Sequence, residues 1–418
     1  MSMNQLEMSG AGGWIEGARD AIEQIGVELR EPGAAASGTE ISLGVGSLGA
    51  ALLDAQAPAA TLRAAARRRV EQAVAVLAEA EMDPSLYMGF AGVAWCVEHL
   101  RERLFPELQD DPNAAIDDAL CGLLARSPWS GHFDLVSGLV GLGVYALERL
   151  PRPRAAECVA AVVARLAERA HQDADGIAWW TAPGWLTPPM RLRHPRGYDN
   201  LGLAHGIAGV IALLAAVCRS GIAVAPARAL LEGAVAWLLA KQRAGQGGPR
   251  FPSLICRERG PQGGRLGWCH GDPGIAIALL QAGRAAGVPA WEAAALAIAR
   301  DAARMPPEQT GVLDAGVCHG ASGLALIFSR LFHATGDPLF QEAARDWARR
   351  TLAFRVPGSG IAGFSALDVD DGGGAAWRAD AGLMGGAAGI GLALHAVLSP
   401  APPAWDRILL LSHRQPPC

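Results

Sequence analysis

Seven times along this 418-residue chain, a pair of glycines three residues apart opens an apolar run. The pairs begin at Gly46, Gly89, Gly138, Gly206, Gly271, Gly320 and Gly386, as in Ser137-Gly138-Leu139-Val140-Gly141. A single pair is a common packing or turn device. Seven in step require a repeated unit, and spacings that range from 43 to 68 residues place insertions in its connections.

Between the apolar runs lie segments whose charges recur every three to four residues, the mark of helices with one wet face. Examples are Trp14 to Leu29, Ala60 to Ala80, Ala155 to Ala170, Ala225 to Ala240, Trp291 to Ala303 and Asp337 to Phe354. The glycine-led runs are apolar all round and belong in a core. Alternation of an amphipathic helix with an apolar one predicts an all-α chain. The expected form is an α/α toroid of seven inner and seven outer helices in a single domain over 1–418. In such a ring the inner helices run one way and their N-termini meet around a cavity. The glycines are then expected to serve the crowding of seven helix starts about one axis, through close approach and unusual dihedrals. Insertions near 173–200 and 245–266, rich in Pro, Gly, Trp and Arg, predict ordered loops or short strands at the cavity mouth.

Composition narrows the partners. Half the residues are hydrophobic, 18% are charged, and the net charge of -5 is spread without a basic stripe, which speaks against nucleic acid. No run reaches the roughly 18 apolar residues of a membrane span, and Met1 to Gly13 holds no signal-peptide core, so a cytoplasmic protein is expected. Attachment to a membrane would come through a larger assembly. Eight cysteines are too few for a disulfide scaffold of this size. Cys96, Cys121, Cys158 and Cys218 read as small core residues, Cys256 as a loop residue, and Cys418 is terminal.

The residues just before the glycines carry the chemistry. Immediately before the first glycine stand Val45, Met88, Ser137, His205, His270, His319 and Gly385; one position earlier stand Gly44, Tyr87, Val136, Ala204, Cys269, Cys318 and Met384. Two cysteines share one slot and three histidines the other, all in repeats four to six. Two thiolates and an imidazole suit one catalytic zinc ion with a position left open. The positive end of a helix also favours the thiolate form. Asp134, four residues before Gly138, reads either as a helix cap or as the partner of a buried polar group. Arg265, four residues before Cys269, is either a surface loop residue or a stabiliser of developing negative charge.

At these residues the chain resembles the LanC family, the lanthionine synthetase C-like cyclases. The resemblance runs through all seven repeats and rests on Asn200-Leu201-Gly202-Leu203-Ala204-His205-Gly206, Gly267-Trp268-Cys269-His270-Gly271 and Cys318-His319-Gly320. It implies zinc held by Cys269, Cys318 and His319. It also implies a reaction: addition of peptide Cys thiolates to dehydroalanine or dehydrobutyrine, giving lanthionine or methyllanthionine rings. By motif position it implies His205 in proton transfer, Arg265 in enolate stabilisation and Asp134 as the residue orienting that pair. His270 stands where bacterial cyclases often carry Tyr, while Trp-Cys-His-Gly is the form of eukaryotic LanC-like proteins. His270 is therefore a candidate for proton transfer.

The implied substrate is a dehydrated precursor peptide, leader plus core. Because the repeats begin near Trp14, the expectation is a stand-alone cyclase served by a separate dehydratase and working beside an exporter. One alternative is a LanC-like enzyme adding glutathione to dehydroamino acids. Another is a non-catalytic zinc-containing peptide-binding protein. A prenyltransferase shares the toroid and a thiolate on zinc, but no basic pocket for a diphosphate is evident.

Overall fold

The computed structural model describes residues 12–30, 41–57, 59–243, 248–369 and 374–414. Cys418 and nearly all of the polar start, Met1 to Gly13, lie outside the described residues, as do 244–247 at the head of the second insertion.

Fifteen α-helices occur among the described residues. Seven follow the glycine pairs: α2 (Leu48–Gln56), α4 (Phe90–Leu104), α6 (Leu139–Glu148), α9 (Ile207–Ser220), α11 (Asp272–Ala286), α13 (Ala321–Thr335) and α15 (Ala387–Leu398). Seven are amphipathic: α1 (Gly13–Glu28), α3 (Ala60–Leu77), α5 (Ala114–Leu124), α7 (Pro153–Arg169), α10 (Val224–Ala240), α12 (Pro289–Arg304) and α14 (Pro338–Ala353). The remaining one, α8 (Pro188–Arg193), lies in the first insertion. The expected seven and seven are thus present.

The two classes differ as their patterns require. In α9, every residue from Ile207 to Val217 is buried. In α7, only Ala155, Cys158, Val159, Val162, Val163 and Leu166 are buried, one stripe at helical spacing. Local punctuation makes the hairpins. Gly287 and Gly336, both in the left-handed region, end α11 and α13, and Pro289 and Pro338 begin α12 and α14 two residues later. Proline suits a first helical turn, where its missing N–H has no partner to lose, and glycine tolerates the left-handed stop.

The chain divides into two compact units. The first holds α1, α2, α3, α13, α14 and α15, with the hairpin β7 (Ala366–Val369) and β8 (Ala375–Arg378). Here α15 packs on α13, α2 and α1, while α14 covers α13. The second unit holds α5 to α12 and both insertions. Here α9 packs on α6, α10 and α11. Its insertions form ordered short strands. These are the hairpin β1 (His171–Asp173) and β2 (Gly176–Ala178) and the antiparallel sheet β3 (Trp180–Thr181), β4 (Tyr198–Asn200), β5 (Leu254–Cys256) and β6 (Gly260–Gln262). Cys256, expected in a loop, is a buried strand residue with its Sγ 3.2 Å from His194 Nδ1. The sheet that joins the two insertions is not legible in either alone. Of the four helical cysteines, Cys96 and Cys158 are buried; Cys121 and Cys218 are half-buried.

The glycine pairs serve the expected close approach only in part; most of them meet their own loop first. Of the first glycines just before α6, α9, α11, α13 and α15, only Gly271 has a left-handed φ, at 104°. The starts opened by Gly89, Gly138, Gly206, Gly271, Gly320 and Gly386 are tight loops that return on themselves after six residues. A Cβ on Gly271 would overlap the carbonyl oxygen of Arg265, and one on Gly323 that of Val317. Most of these glycines make room for their own chain, while Gly49 lies against Leu383 and Ala388 of the neighbouring start and Gly141 also against Leu86. Consecutive starts are then joined by backbone hydrogen bonds. In the second unit, Leu135 N–H donates to the Ala204 carbonyl and Ala204 N–H to that of Cys269. In the first, Cys318 N–H donates to Met384 and Met384 N–H to Gly44.

Away from the starts, Arg149 at the end of α6 is fully buried among acidic groups. It reaches Glu98 at 2.7 Å and Asp111 at 2.6 Å, and its Nε donates to Asp117 at 3.0 Å. Tyr145 also donates to Asp117, at 2.7 Å. Desolvation opposes the guanidinium charge, but hydrogen bonds to Asp117 and Asp111 outweigh it and hold its pKa up. Arg149→Met strands these carboxylates. A urea or guanidinium titration is expected to show a loss of about 3–5 kcal/mol; a loss below about 1 kcal/mol would mean that the network contributes nothing.

Candidate metal centre and active site

Cys269 and Cys318 each stand two residues before the first glycine of their repeat, at the starts of α11 and α13. Both are tied by backbone: the Cys269 carbonyl accepts from Ala204, and the Cys318 N–H donates to Met384. Trp268, before Cys269, is fully buried and donates its indole N–H to the Leu409 carbonyl at 2.9 Å. Gln281 of α11 donates to Leu410 at 2.8 Å. The C-terminal segment around 405–411 therefore sets the start that carries Cys269. No motif in the sequence marks it for that role.

One ligand atom from each of Cys269, Cys318 and His319 lies within 4.8 Å of the others, the single such group of three among the described residues. Two thiols and an imidazole match the zinc donor set, and the spacing lets one ion reach all three. Helix N-termini supply the positive potential that favours thiolate. His319 is held from its other side: its Nε2 lies 3.3 Å from Oδ2 of Asp314, a carboxylate 1% exposed.

Asp134 and His205 come together, joining both readings of Asp134. Its Oδ1 accepts the Ser137 N–H at 2.8 Å, closing the turn into α6; its Oδ2 lies 2.6 Å from His205 Nδ1. The His205 side chain is 46% exposed. Desolvation by surrounding protein presses its pKa down, but the hydrogen bond and charge of Asp134 outweigh it, with Cys269 adding, and the net direction is up. Bound to the carboxylate through Nδ1, the ring leaves Nε2 to exchange a proton with something outside.

His270 is half-buried, and its ring edge closes over Gly202, where a Cβ would overlap it. Arg265 is half-buried at the head of the Cys269 loop. Its backbone lies against Gly271, and its Cα and Cβ against Gly311. Just beyond Gly271, Asp272 accepts the N–H groups of Arg250 and Phe251 at 2.7 and 3.1 Å, fastening the second insertion to α11. Burial raises its pKa to about 6.

A cavity of about 340 Å³ lies at the opposite ends of α6 and α9, lined by Val144, Glu148, Ala216, Arg407 and Arg414 among others. None of Asp134, His205, Cys269, Cys318 and His319 lines it. No helix among the described residues is long and apolar enough to cross a membrane.

The family model described as lanthionine synthetase C-like protein matches residues 37–410. Among solved structures the chain is similar to one titled nisin cyclase. The TM-score is 0.72 and the identity 21%, with 95% of this chain and 97% of that chain covered. No curated protein matches. At that identity the likeness is one of fold, and the fold shared is the α/α toroid.

Proposed function

Given that the chain belongs to the lanthionine synthetase C-like family, we propose that it is a zinc-dependent lanthipeptide cyclase. Its substrate would be a ribosomally made peptide whose Ser and Thr have been dehydrated by a separate enzyme. Its product would be the same peptide closed by lanthionine or methyllanthionine. The observation that carries this reading is the meeting of Cys269, Cys318 and His319 within 4.8 Å in a chain of this family.

Those three residues would hold zinc, which when bound lowers the pKa of a coordinated substrate thiol and keeps it a nucleophile at neutral pH. The remaining work belongs to side chains. Addition of sulfur to the β-carbon of a dehydroamino acid moves the electron pair onto the α-carbon and its carbonyl, as an enolate. Arg265, four residues before Cys269, is assigned to stabilising that charge. His205, oriented by Asp134 through Nδ1, delivers a proton from Nε2 to the α-carbon and completes the thioether. His270 is a second candidate for that proton, since it shares a start with a proposed ligand.

The reading is tested by measuring zinc stoichiometry and incubating the protein with a dehydrated precursor peptide, with and without glutathione. Ring closure leaves the peptide mass unchanged but removes thiols that an alkylating reagent would otherwise label. Zinc near one equivalent with loss of labelling is the expected result. A gain of glutathione mass would instead assign the site to intermolecular thiol addition. Peptide binding without zinc or chemistry would reduce the protein to a receptor.

A further inference from the structure

From the Asp314–His319 geometry we infer that Asp314 is a positioning residue for the metal centre, fixing which imidazole nitrogen His319 offers to zinc. The inference rests on the zinc reading above and adds a residue to it. Asp314 lies six residues before Gly320, and the same position in other repeats holds Asp83, Asn200 and Asp380. All four do one structural job: a side-chain oxygen accepts the backbone N–H two residues on, at 2.7 Å for Asp83, 2.9 Å for Asn200, 3.1 Å for Asp314 and 2.7 Å for Asp380. That turn needs only one oxygen.

What the second oxygen does separates them. In Asp380 it pairs with Arg378 at 3.1 Å. In Asp314 it lies 3.3 Å from His319 Nε2. A carboxylate only accepts, so it holds the proton on Nε2 and leaves the Nδ1 lone pair for the metal. It also adds negative charge behind the imidazole, which strengthens the ligand. Asp314 is 1% exposed, so water cannot readily replace it.

The substitution Asp314→Asn keeps the turn, because its oxygen can stay on the Gly316 N–H. Its amide then points N–H groups at Nε2. That favours the opposite tautomer, with the proton on Nδ1 where the metal should bind. Asp380→Asn is the matched control: the same turn and substitution, one repeat along, without a histidine. Zinc affinity by chelator competition and the melting temperature of the metal-free protein are measured for wild type and both variants. Asp314→Asn is expected to bind zinc about 10–100-fold more weakly. Asp380→Asn should stay within about twofold of wild type, with both metal-free proteins melting at similar temperatures. Wild-type affinity in Asp314→Asn, or an equal loss in Asp380→Asn, overturns the inference and leaves the cyclase reading standing. A wild-type protein that binds no zinc overturns both.

Discussion

Cys318→Ala protein is expected to purify folded, free of zinc and unable to close a ring in a dehydrated peptide. Cys318 is half-buried and its structural bond is a backbone one, N–H to the Met384 carbonyl at 2.9 Å, which alanine keeps. Loss of the sulfur therefore removes a proposed ligand while this backbone tie remains. Tetrahedral protein sites hold zinc with about 10–16 kcal/mol in total, so one donor of four carries roughly 3 kcal/mol. That is about a hundredfold in affinity, applied to a site with only three protein donors. The same result is expected for Cys269→Ala, although Cys269 is 7% exposed and its neighbour Trp268 is packed, so some stability should go with the metal. Metal content by mass spectrometry and thiol labelling of the product decide the matter. Undiminished cyclisation by zinc-free Cys318→Ala protein would end the proposed mechanism.

His205→Asn separates proton transfer from metal binding. Asparagine can still donate to Asp134 from the same direction, so the turn before α6 keeps its partner, but no titrating nitrogen remains. A positioned acid or base contributes about a hundredfold to ten-thousandfold. A fall of that order in the single-turnover cyclisation rate is expected, with zinc content unchanged. Loss of zinc together with activity would make His205 part of the metal site instead, and an unchanged rate would transfer the proton to another group, with His270 the first to test. Asp134→Asn should follow in a milder form, because the ring stays in place while its orientation and basicity lapse.

The physical basis of both predictions is unequally visible in the chain. Helical period is a local property, so the outer helices are legible almost to the residue: Ala155 to Ala170 is expected where Pro153–Arg169 forms. The Cys–His cluster is legible because it occupies aligned slots of a repeat, and a repeat places equivalent residues in equivalent surroundings. Cys269 and Cys318 are 49 residues apart in sequence, yet each stands two residues before a helix-opening glycine. One further signal lies in the chain: glycine, one residue, then proline, as in Gly287-Val288-Pro289 and Gly336-Asp337-Pro338. It marks the hairpins between inner and outer helices.

Other features follow no period. Arg149 meets acids 32, 38 and 51 residues away, and Trp268 meets a carbonyl 141 residues on. Asp314 and Asp380 close the same turn; the histidine five residues after one and the arginine two residues before the other set their second oxygens apart. The sequence by itself determined the repeat, the helix classes and the residue types at the helix starts, because these depend on neighbours within a few turns. Tertiary structure alone decided that Asp134 closes on His205 and that the segment around 405–411 supports the start that carries Cys269. Each of those depends on where the chain returns, which burial of the whole core dictates and no short segment records.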